Sequence, residues 1–409
     1  MKILRIENSS TLSHVRKRHL SGQGSVDFLT EKDFDPCKPF FKNHPELYPE
    51  SYDKILIVGV LEHNPFIRSV LKTCDYLLKP DGALSISYFP LSVDVPGKYV
   101  RPLSMLFYEV SKIFKERILL EKHEKKGSRL IFVWRKKGCA LPEDDSIEKW
   151  SFGIVTNGKQ NERVIQTISI IEKQNIPLYE VMICGPSFPC DDSHVRFLDD
   201  SDLYRDIRIP ITCKKNRLIK EARYNNLVLL HDRILLTDDW FEKMQRHGNY
   251  FDCLSIPVFE YTSRNKRMND WCTFTRTCNY NKFPHGKLQY DEWSPDAYVN
   301  GGAMIVKRHV IIRTMYDEYI NWCEREDVDV SERMYIDGVL ITMDSSNAFY
   351  SHAGYGTIIN AVVHKGRPII HNSIMAGLYR ILSYGKYAIN YLCGRLSFIC
   401  YLREMRKEV

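Results

Sequence analysis

Asn226-Leu-Val-Leu-Leu-His-Asp-Arg233 (NLVLLHDR) delivers an unbroken aliphatic run straight into a polar triad. A short continuous apolar run of this kind reads as a strand buried on both faces, as in a parallel sheet. The residues that follow it then stand at the carboxyl edge of the sheet, where open α/β folds place their ligands. The same pattern recurs on both sides. Phe152–Thr156 (FGIVT), Glu180–Cys184 (EVMIC) and Arg196–Leu198 read as further strands. Val164–Gln174, Lys214–Arg223 and Asp239–Arg246 carry helical spacing between or after them. Strand and helix in alternation predict an α/β layer with a parallel core.

A separate βαβ series precedes it. Lys54–Val60 (KILIVGV) reads as a buried strand, and His63–Leu78 as a helix with Ile67, Val70, Leu71 and Leu77 on one face. Lys79-Pro80-Asp81-Gly82 reads as a turn, Ala83–Tyr88 as a strand, and Leu103–Phe114 as a helix with Pro102 at its start. Arg117–Glu121 and Arg129–Arg135 read as a β-pair joined at Lys126-Gly127. The polar stretch KKGCALPEDDSIEK (Lys136–Lys149) reads as a linker. The predicted organisation is two α/β domains, at 1–138 and 151–372, with a linker at 139–150 and a basic amphipathic tail at 373–409.

The bulk properties narrow the classes. The chain has 409 residues and a formal net charge of +7. The excess is mild and spread along the sequence, unlike the basic stripe of a nucleic-acid binder, so no nucleic-acid partner is expected. The 12 cysteines are scattered without CxxC or zinc spacing, which suits a reducing cytosol. MKILRIENSS has no apolar core of a signal peptide, and no run is long and apolar enough to span a bilayer. A cytoplasmic protein is expected. The tail, Met375–Val409, mixes aromatics with Arg380, Lys386, Arg395 and Arg403. It suits either peripheral docking at the inner face of the cytoplasmic membrane or packing against protein.

Val60-Leu61-Glu62-His63, Leu78-Lys79-Pro80-Asp81-Gly82 and the terminal β-pair resemble the second half of a class I S-adenosylmethionine-dependent methyltransferase. Such enzymes hold their cofactor on a glycine-rich turn after a first strand. Before residue 50 the only candidate is Gly22-Gln23-Gly24, which follows no recognisable buried strand. A truncated, partial Rossmann domain is therefore expected, and no S-adenosylmethionine. A sugar O-methyltransferase is the remote alternative.

From Phe152 onward an ordered set of motifs resembles family 2 glycosyltransferases of the GT-A (nucleotide-diphospho-sugar transferase) fold. The resemblance implies a hexosyltransferase-like enzyme, inverting, that moves a sugar from a nucleotide-sugar donor to a glycan or lipid-linked acceptor, as in polysaccharide biosynthesis. It implies a nucleotide corner at Thr156-Asn157. Lys215 and Asn216 fall in the family's helix, although Leu218 replaces its usual glycine. His231-Asp232-Arg233 stands where the family carries its metal motif, so Asp232 would help to hold Mg²⁺ or Mn²⁺ on the diphosphate. Arg233 occupies the place of a second carboxylate. Gly301-Gly302 would let the backbone approach the donor sugar, with Asp296 near a hydroxyl. In Trp322–Asp329 (WCEREDVD) the resemblance makes Asp327 the general base and Glu326 an acceptor-binding or orienting group. His352 would complete the metal site.

Two departures stand out. Cys184 ends a strand where family members place an acidic residue, and Asp199-Asp200 reads either as its substitute or as an acidic loop. With Arg233, these leave a non-catalytic glycan- or nucleotide-binding pseudoenzyme as the second reading. Tyr261–Asp291, with Tyr261, Arg264, Arg267 and Trp271, reads as an acceptor lid or a surface insertion.

Overall fold

The computed structural model describes residues 1–8, 25–62, 64–89, 102–204, 210–263, 265–273, 286–320 and 325–352. Gly22-Gln23-Gly24, His63, Arg264, Trp322–Glu324 and the basic tail lie outside them. Met1–Gly354 form one compact unit. It contains two large α/β sheets and two small ones.

The first sheet is built from β1 (Lys2–Glu7), β2 (Ser25–Thr30), β3 (Tyr52–Val58), β4 (Leu78–Tyr88), β5 (Ile118–Lys126) and β6 (Arg129–Lys136). Their order is β2-β1-β3-β4-β6-β5. The first four run parallel, and the hairpin β5–β6 closes the edge antiparallel. The expected helices appear at Ile67–Leu77 and Leu103–Phe114.

The sequence offered no strand before Tyr52, and the structure corrects this with β1 and β2. The sequence KILRIE hides a central strand because it alternates. Leu4 and Ile6 are fully buried, while Arg5 pairs with Glu7 and Lys2 lies over the Tyr52 ring. The expected Lys79–Gly82 turn is instead the irregular start of β4. Asp81 takes a left-handed conformation (φ 60°) there, and the register against β3 slips between Tyr52 and Lys54.

The second large sheet contains β7 (Lys149–Val155), β8 (Leu178–Cys184), β9 (Val195–Leu198) and β10 (Asn226–His231), all parallel. β11 (Ile234–Leu236), β13 (Val258–Glu260) and β19 (Phe349–Ser351) form a small sheet beside it. β14 (Trp271–Thr273), β15 (Gly286–Lys287) and β16 (Ala297–Val299) form another. β12 (Cys253–Ser255), β17 (Ala303–Lys307) and β18 (Ile341–Met343) extend the large sheet to the order β18-β12-β17-β10-β7-β8-β9, with β17 antiparallel to β10. The chain leaves β7 toward β8 and β9, then returns to β10 on the other side. That reversal makes a topological switch point between the carboxyl ends of β7 and β10. No helix among the described residues is long and apolar enough to cross a membrane.

The two large sheets are held together by charged and aromatic contacts. Arg68 is nearly fully buried, forks onto Glu109 at 2.9 Å twice, and donates to the Tyr335 carbonyl at 2.7 Å. Thr73 meets Tyr250 at 2.9 Å, and Phe66 packs edge-on against Trp293. The segment expected as a linker is pinned rather than solvated. Asp145 accepts from Lys307 Nζ at 2.9 and 3.0 Å, from Asn225 at 2.8 Å and from Asn249 at 2.8 Å. Lys307 is fully buried, and burial pushes its ammonium down to about 8 even with this carboxylate beside it. Removing one partner of a buried pair strands the other charge, at a cost of about 3–5 kcal/mol. Asp145→Ala is therefore expected to lower unfolding free energy by about that much in a urea titration. A loss of less than about 1 kcal/mol would show that this pair is not what fastens the segment.

Candidate functional site

The switch point gathers side chains from five places: the ends of β7 and β10, a helix, the segment before β17 and the start of a second helix. β7 hands off to Thr156, whose hydroxyl donates to Asp232 Oδ2 at 3.0 Å across the strand ends. The Asp232 N–H donates to the Val155 carbonyl at 3.1 Å, which fixes the two loops together. Asn157 closes its own turn by accepting from the Lys159 N–H at 3.0 Å. Gly185 lies so close that a Cβ on it would stand 2.5 Å from the Thr156 carbonyl oxygen, so no side chain fits.

Helix Ile211–Glu221 supplies two buried lysines. Lys214 donates to the Thr156 carbonyl at 2.8 Å and pairs with Asp200 at 2.5 Å. Asp200, of the two residues read as a substitute carboxylate or a loop, thus neutralises a buried lysine. Lys215 is 1% exposed. It donates to the Gly301 carbonyl at 2.9 Å, lies 3.5 Å from Glu326 Oε1, and sits 4.8 Å from the centre of the Tyr316 ring. Neither lysine is the solvated helix face that the spacing alone allowed. Asn216 is equally buried, and both ends of its amide hold the Tyr316 backbone, at 2.8 and 2.9 Å. It acts on the site through Tyr316.

The segment before β17 provides the opposite wall. The Gly301 N–H donates to Asp327 Oδ2 at 3.1 Å, and the Gly302 N–H to the Asn300 side chain at 2.7 Å. The Gly302 carbonyl accepts from the His231 N–H at 2.9 Å, which ties this wall to β10. A Cβ on Gly301 would stand 3.1 Å from both the Glu326 and the Asp327 carboxylate oxygens, and one on Gly302 would stand 2.9 Å from Arg233 Nη2. The glycines leave room for charged groups.

Glu326 and Asp327 open helix Glu326–Ile336, preceded by Arg325 in the left-handed region (φ 68°). Asp327 also accepts from the Val328 N–H at 2.9 Å. Burial, then the adjacent Glu326 charge, push the Asp327 carboxyl up to about 6; Lys215 and the two backbone donors oppose the rise. A carboxylate poised there takes a proton at neutral pH more readily than an ordinary aspartate.

Arg233 Nη1 lies 3.0 Å from His231 Nδ1. A guanidinium only donates, so Nδ1 accepts and the imidazole proton sits on Nε2. Burial, then the Arg233 and Lys215 charges, hold His231 well below its ordinary pKa, so it is neutral. Its buried Nε2 finds no hydrogen-bond partner among the described residues. Sequence reasoning named His231 and Asn300 only as motif members and passed over Tyr316. The apolar strand ahead of His231 and the glycines behind Asn300 were the available signals.

His352 donates its backbone N–H to the Arg233 carbonyl at 2.9 Å, packs at a tilt against the Tyr261 ring with centres 4.3 Å apart, and meets Gln166 at 3.3 Å through Nε2. Among the described residues no three His, Cys, Asp or Glu side chains converge as metal ligands. Arg233 follows Asp232 in the chain and turns its guanidinium to the His231 imidazole, and the His352 imidazole already meets Gln166. These residues do not build a protein cage for Mg²⁺ or Mn²⁺, which want several oxygen donors. Asp296 lies in the loop before β16, its N–H 3.3 Å from Ser294 Oγ.

No family model matches the chain, and no curated protein matches it. Among solved structures, S. aureus TarS 1–349 is 13% identical over 50% of this chain and 60% of that one, with a TM-score of 0.35. The same protein in complex with UDP-GlcNAc gives 13%, 50%, 58% and 0.35. A putative S-adenosylmethionine dependent methyltransferase from Listeria monocytogenes is 10% identical over 34% of this chain and 91% of that one, with a TM-score of 0.24. The chain thus spans about 60% of the length of TarS 1–349. At these values the likenesses assign no activity, and the functional reading rests on the site itself.

Lys215 is the cation that opposes the Glu326–Asp327 repulsion. Lys215→Met is expected to move the Asp327 pKa above its present value of about 6, read by carboxylate 13C NMR titration. An unchanged titration would show that the ammonium does not face Asp327.

Proposed function

We propose that the chain is a glycosyltransferase that takes a nucleotide-sugar donor and transfers the sugar with inversion to a hydroxyl of a glycan or lipid-linked acceptor. The observation that carries the reading is Asp327, anchored by the Gly301 and Val328 N–H groups beside the carboxyl edge of β7 and β10 and raised to about 6. In this reading Asp327 takes the proton of the attacking hydroxyl, the hydroxyl oxygen bonds to the anomeric carbon, and the nucleoside diphosphate leaves with the electron pair of the broken bond. Arg233 opposes the charge that develops on the diphosphate, and the His231 Nε2–H supplies a neutral donor in the same cluster. Thr156 and Asn157 border the nucleotide, and the glycines at 301 and 302 admit the sugar. Lys215 holds the Gly301 turn and Glu326, so Glu326 orients the base and the acceptor.

One observation favours a second reading, a nucleotide- or glycan-binding protein without turnover. Asp232 is followed in the chain by Arg233, at the place where metal-dependent catalysis would want another carboxylate.

Donor-dependent release of nucleoside diphosphate decides between them. Asp327→Asn is expected to reduce that release at least 10²-fold while leaving the fold intact by circular dichroism. Release that survives the change would remove Asp327 as base, and donor binding without release in the native chain would select the second reading. The native rate is expected to rise with pH through about 6, as Asp327 loses its proton, and then to level. The stability linkage has the opposite sign. The folded carboxyl binds its proton more tightly than the usual aspartate value of 3.8, so it lowers stability as pH rises from about 4 to about 6. Asp327→Asn should then melt no lower than the native chain at pH 7, and a clear drop would contradict the burden assigned to this charge.

A further inference from the structure

A cavity of about 320 Å³ lies between the two large sheets, lined by residues of both. It is a different place from the switch point and shares no residue with it. From the first layer come Lys72, Lys112, Lys115 and Arg117; from the second come His309 and Arg313. Aromatic and apolar groups, among them Tyr76, Tyr250 and Leu141, complete the walls. The volume is that of a small-molecule site.

The charges in it do not balance. Lys115 and Arg313 share a single oxygen, Asp337 Oδ2, at 2.8 and 2.9 Å. Lys72 pairs with Asp252, and Arg117 forks onto Asp75 at 2.7 Å twice. Lys112 has no ion-pair partner among the described residues and only lies 5.4 Å from the centre of the Tyr108 ring. The fourth carboxylate of the lining, Glu116, is exposed. The layers touch closely at this wall: a Cβ on Gly338, which has φ 89°, would stand 2.6 Å from the Lys112 carbonyl oxygen. Burial, then the neighbouring Arg313 and Lys72 charges, depress the Lys115 ammonium although Asp337 accepts from it. Crowded cations that share too few carboxylates are stabilised by an entering anion, and lysine and arginine are the groups that hold phosphate oxygens.

We infer that this cavity is a second ligand site, which binds a small phosphate-bearing anion between the two layers through Lys112, Lys115 and Arg313. The inference stands apart from the transferase reading. An anion there contacts both layers at once, so it fastens one to the other.

Thermal shift and calorimetry on the full chain with inorganic pyrophosphate test it, with a nucleoside diphosphate as the second probe. Pyrophosphate is expected to raise the Tm saturably, as binding to the folded state must. Lys112→Gln removes no ion pair, so the variant should fold, and its affinity should fall about tenfold or more. Lys115→Gln should weaken binding likewise. Arg233→Gln, at the switch point, should leave the Lys112-dependent part of the binding in place. A shift with the nucleoside diphosphate alone, with the same dependence on Lys112, would support the site and assign it a nucleotide-borne phosphate. The inference is overturned if neither probe gives a saturable shift, or if the shift is lost in Arg233→Gln and kept in Lys112→Gln and Lys115→Gln.

Discussion

The ammonium of Lys215 is the interaction on which the site depends. A lysine that is 1% exposed is costly unless its donors and its charge are both answered. Here the Gly301 carbonyl, the Glu326 carboxylate and the Tyr316 ring answer them. Each belongs to a different segment, so satisfying one cation fixes three pieces of chain around it. Asn216, the next residue on the helix, clamps the Tyr316 backbone and keeps that ring in place. Asp327 inherits its position from the same arrangement, since the glycine that Lys215 holds by its carbonyl holds Asp327 by its amide.

Much of the second α/β layer was legible because its strands are continuous apolar runs. NLVLLH and EVMIC are buried throughout their inward-facing stretch, and such runs admit few other readings. Gly301-Gly302 and the Glu326–Asp327 helix start also appear where their residues pointed, because turn chemistry and helix entry are local. β1 was not legible. KILRIE buries the apolar Leu4 and Ile6 in alternation and mixes them with charges, Arg5 and Glu7 pairing with each other and Lys2 lying over Tyr52. Nor could spacing show that Lys214 and Lys215 face inward. Asp200 lies fourteen positions from Lys214 and Glu326 more than a hundred from Lys215, and only the folded chain brings them together. The pinned segment around Asp145 misled for the same reason: a polar composition looks solvated until Lys307 is placed against it.

Charge placement separates the two parts of the molecule that could hold an anion. At the switch point Arg233 meets the neutral His231 imidazole, and Lys215 opposes Glu326 and Asp327, the latter held by backbone amides, so charge is finely divided there. In the cavity between the layers the cations outnumber what their carboxylates can answer, and aromatic walls surround them. The first arrangement suits a reacting group whose charge changes. The second suits a ligand whose charge does not.

The fastening of residues 139–150 has a consequence for how this protein can be handled and how it can have diversified. Asp145 reaches Asn225, Asn249 and Lys307, three places far apart in the chain, through one carboxylate. A cut at this segment would leave a buried ammonium on one fragment and its counter-charge on a severed end. The two α/β layers should therefore melt as a single cooperative unit, and neither should survive as a free-standing module.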